Sequence, residues 1–308
     1  MNGIELSEMF FVLYGMPMIN EKFADYKHKI TAGLVGDGSE CYGFDDQLSR
    51  DHDWGPSFCL WLNKDDFRAI GAALQAEYDK LPKALRGFGP RKVSPWGGNR
   101  IGVLETETFY RDYIGLDRPP RDLIEWLYIP ETSLSACTNG KIFHGPPGEF
   151  MRTRDILMQF YPEDVRMKKI AARCMAIAHY GQYNFARCVK RREYYAARHA
   201  ESEFCSAVIS LVFLMNRKYT LFFKWMHRAV KDLAVLGEFT HVKLLELINT
   251  VDHKEKNFLI ETICARIIHE LKEQGLSDST SDFLLDHGPV IQQKIQDPEL
   301  KRMSVLLG

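Results

Sequence analysis

Two aspartates on either side of a histidine, in Asp51-His52-Asp53, are the residues of this sequence best suited to carry chemistry. Alternate side chains of a β-strand point to the same face, so a strand here would send both carboxylates to one side and His52 to the other. Two close carboxylates repel each other unless a cation lies between them, and oxygen atoms are the ligands that magnesium prefers. The pair therefore predicts a site for Mg²⁺ or Mn²⁺.

A second motif, Gly38-Ser39, follows an apolar segment upstream of the aspartates. A small flexible turn with a hydroxyl group can approach a phosphate closely and donate backbone and side-chain hydrogen bonds to it. Either motif alone also occurs in ordinary turns. Together they predict a site for ATP or another nucleoside triphosphate, whose phosphates contact Gly38 and Ser39 and share the metal with Asp51 and Asp53.

The elements that must position these motifs are read from hydrophobic periodicity. In the first half of the chain, helical spacing and alternation predict strands at residues 30–35, 58–62 and 101–108, with helices before and between them. Residues 118–148 contain five prolines and a β-prone segment at 141–143, which predicts a connecting hairpin and linker. The second half shows only helical patterns, at residues 165–188, 194–215, 221–235, 241–251 and 254–274.

These patterns predict an α+β protein of two domains. Residues 1–150 form a mixed sheet with flanking helices and carry both motifs, and residues 151–308 form an all-α helical bundle.

The residues around both motifs resemble those of a known family. Gly38-Ser39 and Asp51-His52-Asp53, each beside a predicted strand, match the signature of the nucleotidyltransferase superfamily, which has the polymerase beta-like fold. The surrounding segments 38–46 and 49–56, with 109–115, 161–165 and 216–225, are similar to an uncharacterised bacterial family, domain of unknown function 4037. The resemblance implies a nucleotidyltransferase-fold sheet followed by a helical bundle, and it specifies no substrate class.

The resemblance also implies a third carboxylate, which binds metal or deprotonates the attacking hydroxyl group in active members of the superfamily. Glu105, in the predicted third strand, is the first candidate, and Glu107 is the second. A base from the helical domain, such as Glu201 or Glu203, stays open.

Arg217 and Lys224 lie seven residues apart within one of the family-like segments, so they are candidates for phosphate contacts if one continuous helix carries both. Arg187, Arg191 and Arg198 could also grip an anion, although a solvated face explains them more simply. The aromatic segment 222–225 could stack on an adenine base, but a place in a helix core is the stronger expectation. The histidines have no identifiable partner, and structural roles are expected for them.

Composition limits the remaining choices. Forty basic and 41 acidic residues leave a net charge of −1, which argues against nucleic acid as a partner. The seven cysteines are scattered and predict neither a disulfide framework nor structural zinc. No apolar segment is long enough to span a membrane, and a cytoplasmic location is expected. Helical segments such as residues 258–271 leave a homodimer open.

The leading hypothesis is a magnesium-dependent enzyme that transfers a nucleoside monophosphate, AMP from ATP, to a hydroxyl group of a small-molecule acceptor and releases pyrophosphate. Two alternatives remain. One is a non-catalytic nucleotide-binding regulatory module, and the other is nucleotidylation of a protein or a tRNA.

Overall fold

A computed structural model describes residues 1–94 and 100–308. Contacts within the chain divide it into two units. The first consists of Met1–Pro119 with Ser133–Gln159, and the second of Pro120–Thr132 with Phe160–Gly308. The predicted division into 1–150 and 151–308 stays a prediction.

The described residues contain four strands and fifteen α-helices. The strands are β1 (Thr31–Leu34), β2 (Cys59–Leu62), β3 (Gly102–Glu105) and β4 (Lys141–His144). The helices, in chain order, are α1 (Gly3–Phe10), α2 (Met16–Lys22), α3 (Lys64–Asp79), α4 (Thr106–Ile114), α5 (Leu123–Tyr128), α6 (Glu131–Thr138), α7 (Glu149–Met158), α8 (Glu163–Ile177), α9 (Ala186–Lys190), α10 (Tyr194–Met215), α11 (Phe223–Val230), α12 (Gly237–Asn249), α13 (His253–Glu273), α14 (His287–Gln293) and α15 (Pro298–Arg302).

The first unit is built on a mixed sheet with the strand order β3-β2-β1-β4. β1 pairs antiparallel with both β2 and β4, whereas β2 and β3 are parallel. Parallel neighbours need a crossover connection, and helix α3 supplies it. Asn63 begins that helix, since its side chain accepts a hydrogen bond from the Asp66 N–H at 2.8 Å. The predicted strands at 30–35 and 58–62 and the β-prone segment at 141–143 are therefore confirmed.

The core of the first unit lies between this sheet and the N-terminal helices. Phe58, directly before β2, is fully buried and its ring packs edge-on against Phe11 and Tyr78, with ring centroids 5.2 and 4.9 Å away. α1 continues through a π-helical turn, Phe11–Gly15, into α2. Buried aromatic area of this kind is the main source of stability for such a unit.

Among its described residues the second unit contains helices and no strand. α8 and α10 contact each other extensively, and fourteen of the 22 residues of α10 are buried. A π-helical segment, Ala178–Phe185, connects α8 to α9 without a break. The predicted α+β class and the helical second half are confirmed. Within the part of the chain that the structure describes, no helix is both long and apolar enough to cross a bilayer.

Candidate functional site

The loop that follows β1, residues 36–39, carries the predicted phosphate-binding motif. Gly36 has φ +131°, a conformation that side-chain-bearing residues rarely adopt. Its N–H donates to Oδ1 of Asn139 at 2.9 Å, and its carbonyl oxygen accepts from Nδ2 of the same side chain at 2.7 Å. Ser39 is half-buried and opens a 3₁₀ turn, Ser39–Tyr42. The loop is therefore fixed at its first residue by a side chain far along the chain.

Hydrogen bonds also fix the turn that contains Asn139. The guanidinium of Arg154, in α7, is buried and donates to the carbonyl oxygens of Cys137, Thr138 and Asn139 at 2.8, 2.9 and 2.7 Å. Gly140 has φ +66° and donates its N–H to the Cys41 carbonyl oxygen at 2.9 Å. These bonds hold both ends of the loop after β1 against the turn before β4.

Asp51 and Asp53 do not lie on a strand, so the argument that strand alternation aligns their carboxylates is wrong. They lie in an irregular loop after the 3₁₀ turn Leu48–Arg50 and before β2. Asp53 has φ +48°, which is uncommon for a residue other than glycine. The side chain of Asp51 is 68% exposed, and its Oδ1 lies 2.7 Å from Nδ1 of His52.

The carboxylate of Asp53 is held by its neighbours. It accepts hydrogen bonds from the N–H and the hydroxyl of Ser94 at 2.9 and 2.5 Å, and Nη1 of Arg100 lies 3.9 Å from its Oδ2. Partial burial raises the pKa of Asp53, but the Ser94 hydrogen bonds and the charges of Arg100 and Arg91 outweigh it, so the net pKa shift is downward. The group is therefore an ionised carboxylate at neutral pH.

A cavity of about 790 Å³ in the first unit brings the loop after β1 together with the end of β3. Asp37 from the loop, Glu105 from β3 and Asp112 from α4 line it, as does Arg100. The hydroxyl group of Tyr113, also in the lining, donates to Oδ2 of Asp37 at 3.1 Å. Arg100 both lines this cavity and approaches Asp53, so it connects the predicted metal ligand with the predicted base.

Asp37, Asp112 and Arg100 were not singled out by the sequence. A signal did exist, since Asp37 stands between two glycines of the loop and Asp112 lies in the family-like segment 109–115. Neither position shows from spacing alone that it shares a cavity with Glu105.

The other candidate bases lie in different surroundings. Glu107 is in the first turn of α4, because the predicted third strand ends at Glu105, and its Oε1 accepts from the Lys64 N–H at 3.2 Å. Burial, followed by the charge and hydrogen bond of Glu107, raises the pKa of Glu149. Glu201 is buried in an ion pair with Lys256, with 2.5 Å between Oε1 and Nζ. That contact gives Glu201 a structural role.

Glu203 was the remaining candidate for the base. It is half-buried and lines a cavity of the second unit.

Whether these residues can bind a metal ion depends on the donor atoms that their side chains offer. Among the described residues no group of three or more His, Cys, Asp or Glu side chains could hold a metal ion. Magnesium is usually bound through one or two carboxylates, with substrate phosphates and water completing its octahedron. The carboxylates of Asp51 and Asp53 fit that requirement only with a nucleotide present.

Arg217 and Lys224 do not lie on one continuous helix. The condition under which both were expected to contact phosphate is therefore not met. α10 ends at Met215, Arg217 has φ +52° in the following turn, and α11 begins at Phe223. Nη2 of Arg217 lies 2.6 Å from Oε2 of Glu163, and Lys224 is exposed. Their role in phosphate binding stays a prediction.

The remaining sequence candidates are placed as follows. Arg187, Arg191 and Arg198 are exposed, as a solvated face requires. Phe222 and Phe223 are also exposed, at 46% and 65%, so the expectation of a helix core is wrong for these two rings.

Three of the histidines for which structural roles were expected make hydrogen bonds to backbone carbonyl groups. Ring nitrogens of His144, His227 and His287 lie 3.0, 3.1 and 2.9 Å from the carbonyl oxygens of Lys27, His241 and Ser281.

Comparison with known proteins agrees with the resemblance found in the sequence. Residues 126–226 match the model of a family described as a domain of unknown function, DUF4037. This match confirms the resemblance to that family over less than half of the chain. No curated protein matches the chain.

One solved structure, a nucleotidyltransferase-like protein from Exiguobacterium sibiricum 255-15, is similar over 84% of this chain and 75% of its own. Its sequence identity is 11% and its TM-score is 0.38.

Proposed function

We propose that the protein is a magnesium-dependent nucleotidyltransferase that moves AMP from ATP to a hydroxyl group of a small-molecule acceptor and releases pyrophosphate. The observation that carries the proposal is the cavity of about 790 Å³, because Asp37 of the glycine-containing loop and Glu105 of β3 both line it. Nucleotidyl transfer needs a phosphate-binding loop and carboxylates around one cavity of this size.

In the proposed reaction, Gly38 and Ser39 donate hydrogen bonds to the phosphates, and Asp51 and Asp53 hold the metal. Magnesium would neutralise charge on the phosphate oxygens. The acceptor oxygen attacks the α-phosphorus, the bond from that phosphorus to the bridging oxygen breaks, and pyrophosphate leaves. Glu105 accepts the proton of the acceptor hydroxyl. Arg100, which lines the same cavity, faces the charge of the leaving phosphates.

Binding is tested first. Isothermal titration calorimetry with Mg²⁺ and ATP is expected to show one site that is lost when Asp51→Asn is combined with Asp53→Asn. The matched control combines Asp278→Asn with Asp282→Asn, two exposed residues of the second unit, which makes the same change in charge. Loss of binding after EDTA treatment supports the metal, and no binding of any nucleoside triphosphate by the native chain would falsify the site.

Turnover is tested separately. Glu105→Gln is expected to keep ATP affinity within about threefold and to lower pyrophosphate release by roughly 10²–10⁴-fold, the usual contribution of a general base. If the native chain binds ATP but releases no pyrophosphate with any hydroxylated acceptor, the protein is a nucleotide-binding regulatory module. Both carboxylate oxygens of Asp53 accept hydrogen bonds from Ser94, and this observation favours the regulatory module.

Transfer of label from α-labelled ATP to a protein or RNA in lysate would instead identify a macromolecular acceptor.

A further inference from the structure

The second unit contains its own open cavity, with a volume of about 640 Å³. Its walls are largely apolar and aromatic, and Tyr180, Leu221, Phe223 and Met226 contribute to them. A cavity of this volume matches those that hold small organic molecules. The exposed ring of Phe223, which is unusual for an aromatic side chain, is explained if that ring covers a ligand.

Four acidic or basic side chains line this cavity, and two of them form an ion pair. Glu131 is buried and accepts from Nη2 of Arg173 at 2.8 Å, and also from the hydroxyl groups of Ser210 and Thr220 at 3.0 and 2.6 Å. Arg173 further donates to Oγ of Ser210 and to the backbone oxygen of Gly308, both at 2.8 Å. The charges and hydrogen-bonding groups of this pair are therefore already used.

Lys169 also lines the cavity, and its surroundings differ from those of this ion pair. Its side chain is buried, with 4% of the residue exposed, and its Nζ lies 5.1 Å from the ring centroid of Tyr161. Within the described residues its ammonium group has no hydrogen-bond acceptor. Burial lowers the pKa of Lys169 to about 8, so the group still carries its charge at neutral pH. The charge of Glu131 opposes this fall in the pKa, so the ammonium group lies in the cavity near one carboxylate and without a direct acceptor.

The two other buried lysines of the second unit both have hydrogen-bond acceptors within the chain. Lys168 donates to Oε1 of Gln292 at 2.8 Å and to the carbonyl oxygen of Ser304 at 2.5 Å. Lys256 donates to Oε1 of Glu201 and to the carbonyl oxygen of Leu247 at 2.5 and 2.6 Å. Neither of them lines the cavity. The buried lysine that faces the cavity is thus the one whose acceptor the chain does not supply.

We propose that this cavity binds a small organic monocarboxylate with an apolar body, whose carboxylate pairs with Lys169 while its body packs on Phe223 and Met226. A single negative charge fits because Glu203 also lines the cavity, and it would repel a dianion such as a phosphate monoester more strongly. This site is separate from the proposed nucleotide site and does not depend on it.

The probe is 3-phenylpropionate, with neutral 3-phenylpropionamide as its matched analogue, titrated into the full chain by calorimetry. The acid is expected to bind at least 10-fold more tightly than the amide, because a hydrogen bond between two charged groups is stronger than one to a neutral amide. Equal affinities for acid and amide, or no binding of the acid at millimolar concentration, overturn the proposal.

Lys169→Met keeps the apolar stem of the side chain and removes the charge. It is expected to weaken binding of 3-phenylpropionate at least 10-fold, without lowering the melting temperature, since a buried ammonium without an acceptor is replaced by an apolar group. Lys272→Met, at an exposed position of α13, is the control with the same charge change and keeps native affinity. Glu203→Gln is expected to bind the acid as tightly as the native chain or more tightly.

A second measurement applies if the Lys169 variant does not fold. Reductive methylation of the native chain, read by mass spectrometry, should modify Lys169 more slowly with 3-phenylpropionate present and leave the rate at Lys272 unchanged. Equal rates at Lys169 with and without the acid contradict the proposal. ATP binding enters neither experiment, so the nucleotide site stands or fails independently.

Discussion

Replacing Asn139 by alanine tests whether the loop after β1 is held by this one side chain. Oδ1 and Nδ2 of Asn139 are bonded to the N–H and the carbonyl oxygen of Gly36 at 2.9 and 2.7 Å, and Gly36 is buried. Leaving a buried backbone group without its partner costs about 1–3 kcal/mol. With water entering the space left by the half-buried amide, we expect a loss of about 2 kcal/mol in the free energy of unfolding.

The same change should weaken nucleotide binding. If all of the lost free energy falls on the conformation of residues 36–39 that binds phosphate, the affinity for Mg²⁺ and ATP falls by at most roughly 30-fold. We expect a loss of about 5- to 30-fold in calorimetric titrations, together with a melting temperature about 4–8 °C lower for a unit of this size.

Asn184→Ala is the matched control, because the Asn184 side chain also bonds backbone and ring atoms, in this case of His179 at 2.9 and 3.2 Å in the second unit. It should lower stability without changing ATP affinity. If Asn139→Ala melts at the native temperature, the two bonds to Gly36 contribute nothing. If it melts lower but binds ATP with native affinity, the loop does not bind the phosphates.

Three further changes have definite expected outcomes. Lys256→Met leaves Glu201 buried without its partner and should cost about 3–5 kcal/mol in urea unfolding, and a native midpoint would contradict this. Ser94→Ala removes a hydrogen bond that lowers the pKa of Asp53 and should cost about 1 kcal/mol at pH 7. Because the folded-state pKa lies below the unfolded one, that difference should disappear as the pH falls through the folded-state pKa, and a constant difference would refute the assignment. Gly140→Ala should unfold the first unit, because a Cβ there would lie 1.9 Å from a backbone oxygen of β1, and native stability would refute the geometry of the turn.

Elements with strong periodicity could be predicted from the sequence. The helix predicted at 194–215 has the bounds of α10, and β1 and β2 lie within their predicted segments. The apolar side chains of such an element must alternate or recur at fixed intervals to bury one face. A short stretch of sequence therefore contains the whole pattern. Asp51 and Asp53 show the limit of this reasoning. Alternation aligns two carboxylates only on a strand, and no local pattern distinguishes a strand here from the loop that the structure shows.

The contacts that shape the candidate site are not local, which is why the sequence could not reveal them. Ser94 and Asp53 are 41 positions apart, and Asn139 and Gly36 are 103 positions apart. Asn139 lies just before the β-prone segment at 141–143. Its bonds to Gly36 depend on the pairing of β1 with β4, a pairing that periodicity does not specify.

The pairing of β1 with β4 links the fold of the first unit to its proposed chemistry. Arg154 orients the turn before β4, and Asn139 in that turn fixes Gly36 directly after β1. The proposed phosphate-binding loop thus has its conformation without a nucleotide, and preorganised donors bind a ligand without first losing conformational entropy. Asp51, in contrast, is exposed, and its Oδ1 lies 2.7 Å from Nδ1 of the exposed His52. If the proposed function is right, a bound nucleotide would therefore order Asp51 beside a loop that the sheet has already fixed.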